Sequence, residues 1–424
     1  MRSFLDKIFL RTNNLSYISQ NIKELSQRTP AKEIIEAIES YSSDSEVRYV
    51  GGCIRKIINK ENIDDIDLAT NLEPPKVCEA LKKNSISYFE SGIEHGTITA
   101  VVGKYKFEIT TLRKDVFTDG RHAKIEFSND WKEDASRRDF TFNAIYADRY
   151  GNLFDPFNGK KDLEDGAVNF IGEADKRIRE DYLRILRYFR FFLNYSKQKH
   201  NLEIISSIKR NIGGISKLSK ERLFHELKKI IKLNSLERLA KDKLSLDLIL
   251  IIFPELKNIK IFSKLSTTDK IFLKDKDFIF LLSLLIIDHT DNTDYFLYKY
   301  NISKKDQKRI KNIDSFYKDK INSKTFLKDN MNKIFYHLGK QTTLDILDYR
   351  IIKSKKIDNS IGELSNFYKN NEVPKMPINA DLLMKKYEIP EGKYLGEKLK
   401  MIEEEWLKNN FRISDQQIDN IINT

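Results

Sequence analysis

The sequence predicts an α+β fold, a mixed head followed by an all-helical arm, and three observations carry that prediction. Between about residues 47 and 150, short β-like runs alternate with glycine turns and helical patterns. From about 160 onward, Leu, Ile and Phe recur at three- and four-residue spacing with Lys and Glu between them, the periodicity of amphipathic helices. Gly (16) and Pro (8) are scarce among 424 residues, which excludes collagen-like sequence and disfavours an all-β fold built on tight turns.

Taken in order, residues 1–30 read as a polar, weakly patterned extension, and the first helix is expected over Lys32–Tyr41. Arg48-Tyr49-Val50 makes a short strand ended by Gly51-Gly52, and Ile66–Ala69 makes another. Pro74–Lys83 carries a helical pattern. Ile98–Val102 and Tyr105–Thr111 alternate apolar positions around Gly103-Lys104 and predict a hairpin. A further helix is expected over Ala135–Tyr146. Beyond 160 the helical texture is interrupted by Pro254, Pro374, Pro377 and Pro390 and broken at Gly213-Gly214, with no fixed-period repeat.

Lys plus Arg number 75 against 63 Asp plus Glu, so the net charge is +12 and the pI about 9.2. A polyanionic partner fits that balance, although heavy use of Lys and Ile makes part of it compositional. Cys53 and Cys78 are too few for a zinc ribbon or a disulfide scaffold and suit a reducing cytoplasm. The longest apolar run, Phe278–Ile287, is far shorter than the roughly 20 residues that span a bilayer, so it is expected to be a buried helix and no membrane partner is expected. Asp6 and the lack of a long apolar stretch argue against a secretory signal at the N-terminus.

The candidate chemistry begins at Gly51-Gly52. Paired glycines after a strand let backbone approach a phosphate, and the helix that follows favours anions, but the same pair serves equally as a structural turn. Asp65 and Asp67 follow on the next strand. Two apart, they point to one side, where two carboxylates repel unless a cation lies between them. That is the donor set for two Mg²⁺ in phosphoryl transfer; the alternative is a solvated acidic strand end. Glu108 alternates with Phe107 and Ile109, so it faces away from them as a third carboxylate or as an exposed strand glutamate. Arg113, at the end of that strand, is a phosphate contact or a surface charge.

Gly51-Gly52-x-x-Arg55, Asp65-x-Asp67, Thr110-Thr111-Leu112-Arg113 and Arg137-Arg138-Asp139-Phe140-Thr141-x-Asn143-Ala144 occur in this order. The set resembles the bacterial-type (class II) tRNA nucleotidyltransferase and poly(A) polymerase family. The resemblance implies a polymerase-β-like nucleotidyltransferase head (31–158) after the N-terminal extension (1–30). It also implies an all-helical neck (159–235), body (236–345) and tail (346–424). It further implies that Gly51, Gly52 and Arg55 seat the phosphates, that Asp139 contacts the ribose hydroxyl, and that Arg138, Asn143 and Arg187 help hold the nucleotide. Asp119-Gly120-Arg121 resembles the family's flexible loop, and Ser219-Lys220-Glu221-Arg222-Leu223 the motif whose Glu221 and Arg222 brace the neck. Asp155-Pro156-Phe157-Asn158-Gly159 matches the neck entry, with Asn158 where glycine is usual. Lys56 departs from the family, which carries Asp there.

Arg177–Arg187 is expected to form one helix, with Asp181 and Arg184 neighbours on one face. They are either a routine ion pair or, as the family's Glu-Asp-x-x-Arg motif implies, the base reader. Aspartate only accepts and arginine only donates. Cytosine and adenine each offer an amino donor beside a ring-nitrogen acceptor, whereas uracil and guanine present the reverse. A fixed Asp/Arg pair therefore takes C and A and leaves buried groups unpaired against U and G.

The resemblance thus implies Mg²⁺-dependent addition of C-C-A to the 3′ end of tRNA from CTP and ATP, with the helical arm gripping the acceptor arm. Lys304–Lys311 and Lys353–Lys356 are candidate phosphate contacts or solvated helix faces. The alternatives are a poly(A) polymerase, a CC-only or A-only enzyme, or a non-catalytic RNA-binding protein on this scaffold. Ile287-Asp288-His289 reverses the His-Asp order of a phosphohydrolase, so no such domain is expected.

Overall fold

A seven-stranded sheet organises the first part of the chain. In this computed structural model the structure describes residues 17–118, 123–318, 325–354 and 359–423. The chain divides into two units, Met1–Ile230 and Ile231–Thr424.

In the first unit, residues 17–28 already form a helix, α1, within the stretch read from its pattern as a polar extension. Ile18, Ile22 and Leu25 make a buried stripe along it, and Ser26 Oγ meets the Tyr49 hydroxyl at 2.6 Å. This segment is therefore part of the head's core. Helix α2 (Ala31–Glu39) buries Ile34, Ile35 and Ile38. The sheet runs β3-β4-β5-β2-β1-β8-β9, with β1 (Val47–Val50), β2 (Ile66–Thr70), β3 (Ser87–Gly92), β4 (Thr97–Val102), β5 (Tyr105–Thr111), β8 (Tyr146–Ala147) and β9 (Leu153–Phe154). Among the described strands only β2 and β5 pair in parallel, and that pairing sets Asp67 opposite Glu108. The β4–β5 hairpin turns at Gly103, whose φ of 57° favours glycine, as the sequence predicts. Helix α3 (Gly52–Ile58) follows β1, and α4 (Pro74–Lys83) covers the sheet with Val77 and Leu81. Strands β6 (Arg113–Thr118) and β7 (Ala123–Phe127) form a separate ribbon.

The helix expected over Ala135–Tyr146 is not there. Helix α5 spans Trp131–Ser136, started by the Asp130 side chain, which accepts from Lys132 N at 2.7 Å. The chain then leaves the helix because its next donors are taken elsewhere. Phe140 N goes to Asp139 Oδ1 (2.9 Å) and Thr141 N to Asn169 O (3.2 Å). A short 3₁₀ turn at Thr141–Asn143 leads into β8. Phe140 and Phe142 stack (5.6 Å) and both meet the Phe191 ring edge-on (5.2 and 5.1 Å), which seats the helices after the sheet on this segment.

Those helices are α6 (Gly159–Asp165), α7 (Ala174–Glu180), α8 (Leu183–Tyr195), α9 (Leu202–Asn211) and α10 (Lys220–Ile230). Asn158 adopts φ 57°, a conformation asparagine tolerates where glycine is usual. The expected continuous helix over Arg177–Arg187 is broken at Asp181, which is extended (φ −153°, ψ 106°). Its side chain accepts from Leu183 N at 3.1 Å and its carbonyl from Arg184 N at 3.0 Å, so it starts a second helix instead of continuing the first.

The second unit is helical among its described residues: α11 (Leu233–Lys241), α12 (Lys243–Ile252), α13 (Thr267–Leu273), α14 (Phe278–Ile286), α15 (Asn292–Tyr300), α16 (Lys304–Lys318) and α17 (Lys328–Lys353). It continues through α18 (Asn359–Asn370), α19 (Ala380–Tyr387), α20 (Lys393–Lys408) and α21 (Asp415–Asn423). Helix α14 is the apolar run, and Ile279–Ile286 are all buried. Arg309 ties the core to Asp345 (2.9 Å), and α19–α21 close around Leu383, Leu395, Ile402 and Ile418. No helix among the described residues is long and apolar enough to cross a membrane.

Candidate active site

The site is built on the end of β1, the start of β2 and the middle of β5. Gly51 has φ 68° and its N–H donates to Ile145 O at 3.2 Å, so the turn is glycine's and is tied to the strand beyond it. A Cβ on Gly52 would sit 3.8 Å from Asp67 Oδ2, so the turn and the carboxylate are adjacent. Ile66 and Leu68 are buried, while Asp67 is half-buried and Asp65 exposed on the opposite side of the alternation. Burial, with Glu108 and Asp65 nearby, pushes the Asp67 carboxyl up to about 6, against the pull of Arg138 and Arg55. Among the described residues no group of three or more His, Cys, Asp or Glu is gathered as a metal site. Two carboxylates that leave further positions to phosphate oxygens and water are nonetheless the donor set Mg²⁺ takes in phosphoryl-transfer sites. The residues present therefore fit the ion.

Lys56 ion-pairs with Asp64, the residue before Asp65. The departure from the family thus ties α3 to the entry of the carboxylate strand. Arg55 is half-buried. It donates to Asn143 Oδ1, reaches the Tyr195 hydroxyl from Nε (3.4 Å), and lies over the Phe191 ring at 4.8 Å. It joins α3 to the 3₁₀ turn and to α8.

Asp139 and Asn143 meet although no helix aligns them, whereas the Arg138 side chain turns to Asp134 and Tyr146. Asp139 accepts from Asn143 Nδ2 (2.9 Å) and from Arg187 Nε (2.5 Å). Burial raises its carboxyl, but Arg187, Asn143 and Arg184 outweigh that and hold it well below the usual range. Arg187 also faces Glu226 (3.9 Å), which pairs with Arg190 (3.3 Å). Burial together with Arg187 and Arg55 pulls Arg190 down to about 10.

The side chains of Asp181 and Arg184 take separate partners. Arg184 Nη1 donates to Glu180 (2.7 Å) and to Arg177 O (2.8 Å), and Arg222 grips Asp181 (2.8 Å). On α10, Arg222 thus holds Asp181 and, one turn later, the buried Glu226 faces Arg187 and Arg190, while Glu221 lies at the surface. The signal for Glu226 in the sequence was a carboxylate beside the apolar stripe of Leu223, Leu227 and Ile230. Asp134 was also missed. It stands three and four residues before Arg137 and Arg138 and pairs with both (2.7 and 3.1 Å). Arg113, at the start of β6, donates to His95 O in the turn before β4. Asp119, Gly120 and Arg121 lie outside the described residues. Lys304, Lys305, Lys308 and Lys311 are exposed on α16; Lys355 and Lys356 lie outside the described residues.

Residues 47–169 match the family model for the poly(A) polymerase head domain, and 202–260 the one described as a probable RNA and SrmB-binding site of polymerase A. The human mitochondrial CCA tRNA nucleotidyltransferase 1 is 34% identical over 384 residues, covering 88% of this chain and 85% of that protein. The CCA-adding enzyme of Streptococcus gordonii is 29% identical over 391 residues, covering 90% and 92%. Among solved structures, the Bacillus stearothermophilus CCA-adding enzyme in complex with CTP aligns with a TM-score of 0.69 at 21% identity over 93% of this chain and 96% of that one. The Thermotoga maritima CCA-adding enzyme complexed with tRNA aligns with a TM-score of 0.59 at 19% identity, over 92% and 93%. With a relative this similar along nearly its whole length, the chain belongs to the tRNA nucleotidyltransferase and poly(A) polymerase family.

Proposed function

We propose that the protein completes the C-C-A end of tRNA from CTP and ATP without a nucleic-acid template. The observation that carries the chemistry is Asp67, a half-buried carboxylate beside the Gly51-Gly52 turn and in register with Glu108. The similarity to CCA-adding enzymes along most of the chain supports the choice of substrate.

Asp65 and Asp67 would hold Mg²⁺, with Glu108 adding negative charge from the next strand. When bound, the ion supplies Lewis-acid polarisation of the phosphoryl group and neutralises charge on the departing pyrophosphate. The transfer joins the tRNA 3′-oxygen to the α-phosphorus and breaks its bond to the β-phosphate. Gly51, Gly52, Arg55 and Arg138 seat the triphosphate. Asp139, fixed by Arg187 and Asn143, presents its carboxylate to the ribose. Asp181 and Arg184 read the base; their separate anchors, Arg222 and Glu180, support this reading because neither neutralises the other. The exposed lysines of α16 and the net charge of +12 favour contact with tRNA phosphates. Buried, free Cys53 and Cys78 favour a reducing compartment such as the cytoplasm.

The test supplies Mg²⁺ and tRNAs ending before C-C-A, at C and at C-C, with each nucleotide alone. CTP should extend the first by two residues and the second by one, and ATP should extend only the third, by one. Long A tails on any of them favour the poly(A) reading, and tRNA binding without incorporation favours a non-catalytic scaffold.

A further inference from the structure

Asp134 is a carboxylate with 1% of its side chain exposed, in the first turn of α5, a place where acids normally face water. A buried carboxylate needs full pairing to be tolerated. It has that pairing, and all of its partners surround the Arg137-Arg138 dipeptide. Oδ1 accepts from Arg137 Nε (2.8 Å) and from Arg113 N (3.3 Å). Oδ2 accepts from Arg138 Nη2 (3.1 Å), Arg138 Nε (3.3 Å) and the Tyr146 hydroxyl (2.5 Å). Tyr146 accepts in turn from Arg138 Nε (3.0 Å), and its ring is packed in the core against Val50, Leu112 and Ala144. Carboxylate and hydroxyl thus hold Arg138 by Nε and Nη2 and turn Nη1 toward the phosphate turn. A Cβ on Gly51 would lie 3.6 Å from that Nη1. The Arg138 side chain keeps 18% of its surface open. The backbone of the same dipeptide is held from the other side. Arg137 O accepts from Arg184 (3.4 Å) and Arg138 O from Arg177.

We infer that Asp134 is a positioning residue for nucleotide transfer, setting the Arg138 guanidinium, with Tyr146, against the Gly51 turn where the triphosphate of the incoming nucleotide sits. One carboxylate for two guanidinium groups leaves a net positive charge at the turn, which suits a triphosphate. Asp134 acts through Arg138, so it bears on the triphosphate shared by CTP and ATP and not on the base. The inference rests on the nucleotide-transfer reading.

The test measures equilibrium binding of CTP and of ATP, each with Mg²⁺, to the full chain, alongside KM for each nucleotide and for tRNA. Asp134→Asn should weaken both nucleotides by about tenfold, the effect of losing one charge-assisted hydrogen bond. The KM for tRNA and the choice of C over U should stay unchanged. Tyr146→Phe, which preserves the packing, should weaken both by a smaller factor and serves if Asp134→Asn does not fold. In an Arg138→Ala background, Asp134→Asn should add nothing. Unchanged nucleotide binding in a folded Asp134→Asn protein overturns the inference. So do effects of Asp134→Asn and Arg138→Ala that multiply, or a rise confined to the KM for tRNA. If the unaltered chain binds both nucleotides but makes a product other than C-C-A, the functional reading fails while these binding ratios still decide the role of Asp134.

Discussion

Asp67 shows how a single residue acquires chemistry from its surroundings. The alternation of Ile66 and Leu68 sends it out of the core, parallel pairing with β5 sets Glu108 opposite, and the glycine turn leaves room beside it. Asp67→Asn and Asp65→Ala should each lower nucleotide incorporation by about a thousandfold, because Lewis-acid stabilisation is worth several kcal/mol. Both should bind tRNA as before; normal incorporation by either variant would contradict the metal assignment. Asp134 makes a different prediction. Burial raises its carboxyl, but Arg138, Arg137 and Tyr146 overcome this and hold it at about 2, against 3.8 for an ordinary Asp. A depressed folded-state value means that this stabilisation is complete above the unfolded pKa near 4. It is lost as the pH falls through about 2, and one such group accounts for about 2 kcal/mol. Urea unfolding at pH 7 and at pH 3 should show a larger loss for the unaltered protein than for Asp134→Asn. Of these residues, Asp65, Asp67 and Glu108 were legible in the sequence because strand alternation alone fixes their side. Asp134 was not, because its role depends on Tyr146, which arrives from β8 only after the chain has turned back.

At the scale of elements, periodicity found the β4–β5 hairpin, α4 and the buried α14, where side-chain pattern and backbone preference agree. It failed at 137–146 and at Asp181, where polar side chains capture backbone donors and break a helix that the apolar spacing would allow. Both breaks fall in the candidate site. At the break, Asp181 accepts from Arg222 of α10. Arg222→Ala should therefore leave incorporation in place but raise misincorporation of U, read by sequencing the extended ends; unaltered fidelity would mean that Asp181 needs no brace. The join between sheet and helices is equally specific. A Cβ on Gly159, the first residue of α6, would lie 2.3 Å from the backbone oxygen of Thr141. Gly159→Ala should destabilise the protein by about 1–3 kcal/mol, as overpacking against backbone does. An unshifted urea midpoint would show that α6 does not press on that segment.

For the whole molecule, charge says less than it first promises. The +12 is spread over exposed lysines such as those of α16, while many of the arginines in the first unit are committed to carboxylates: Arg137 and Arg138 to Asp134, Arg187 to Asp139, Arg190 to Glu226, Arg222 to Asp181. Affinity for tRNA should consequently fall with salt, log K declining linearly against log salt with a slope set by the number of phosphates contacted. The division into a mixed head and helical remainder was readable from texture alone, and the family from its motifs. The α1 helix, the pairing of Glu226 with Arg190 and that of Asp134 with Tyr146 were not, because each is defined by a tertiary partner remote in sequence. The most direct measurement of the central claim is the sequence and length of the product on tRNA lacking its 3′ end, given CTP, ATP and Mg²⁺ together. Addition of C-C-A with a stop after three nucleotides is the predicted result; a heterogeneous A tail, or no extension by a protein that binds the tRNA, would contradict it.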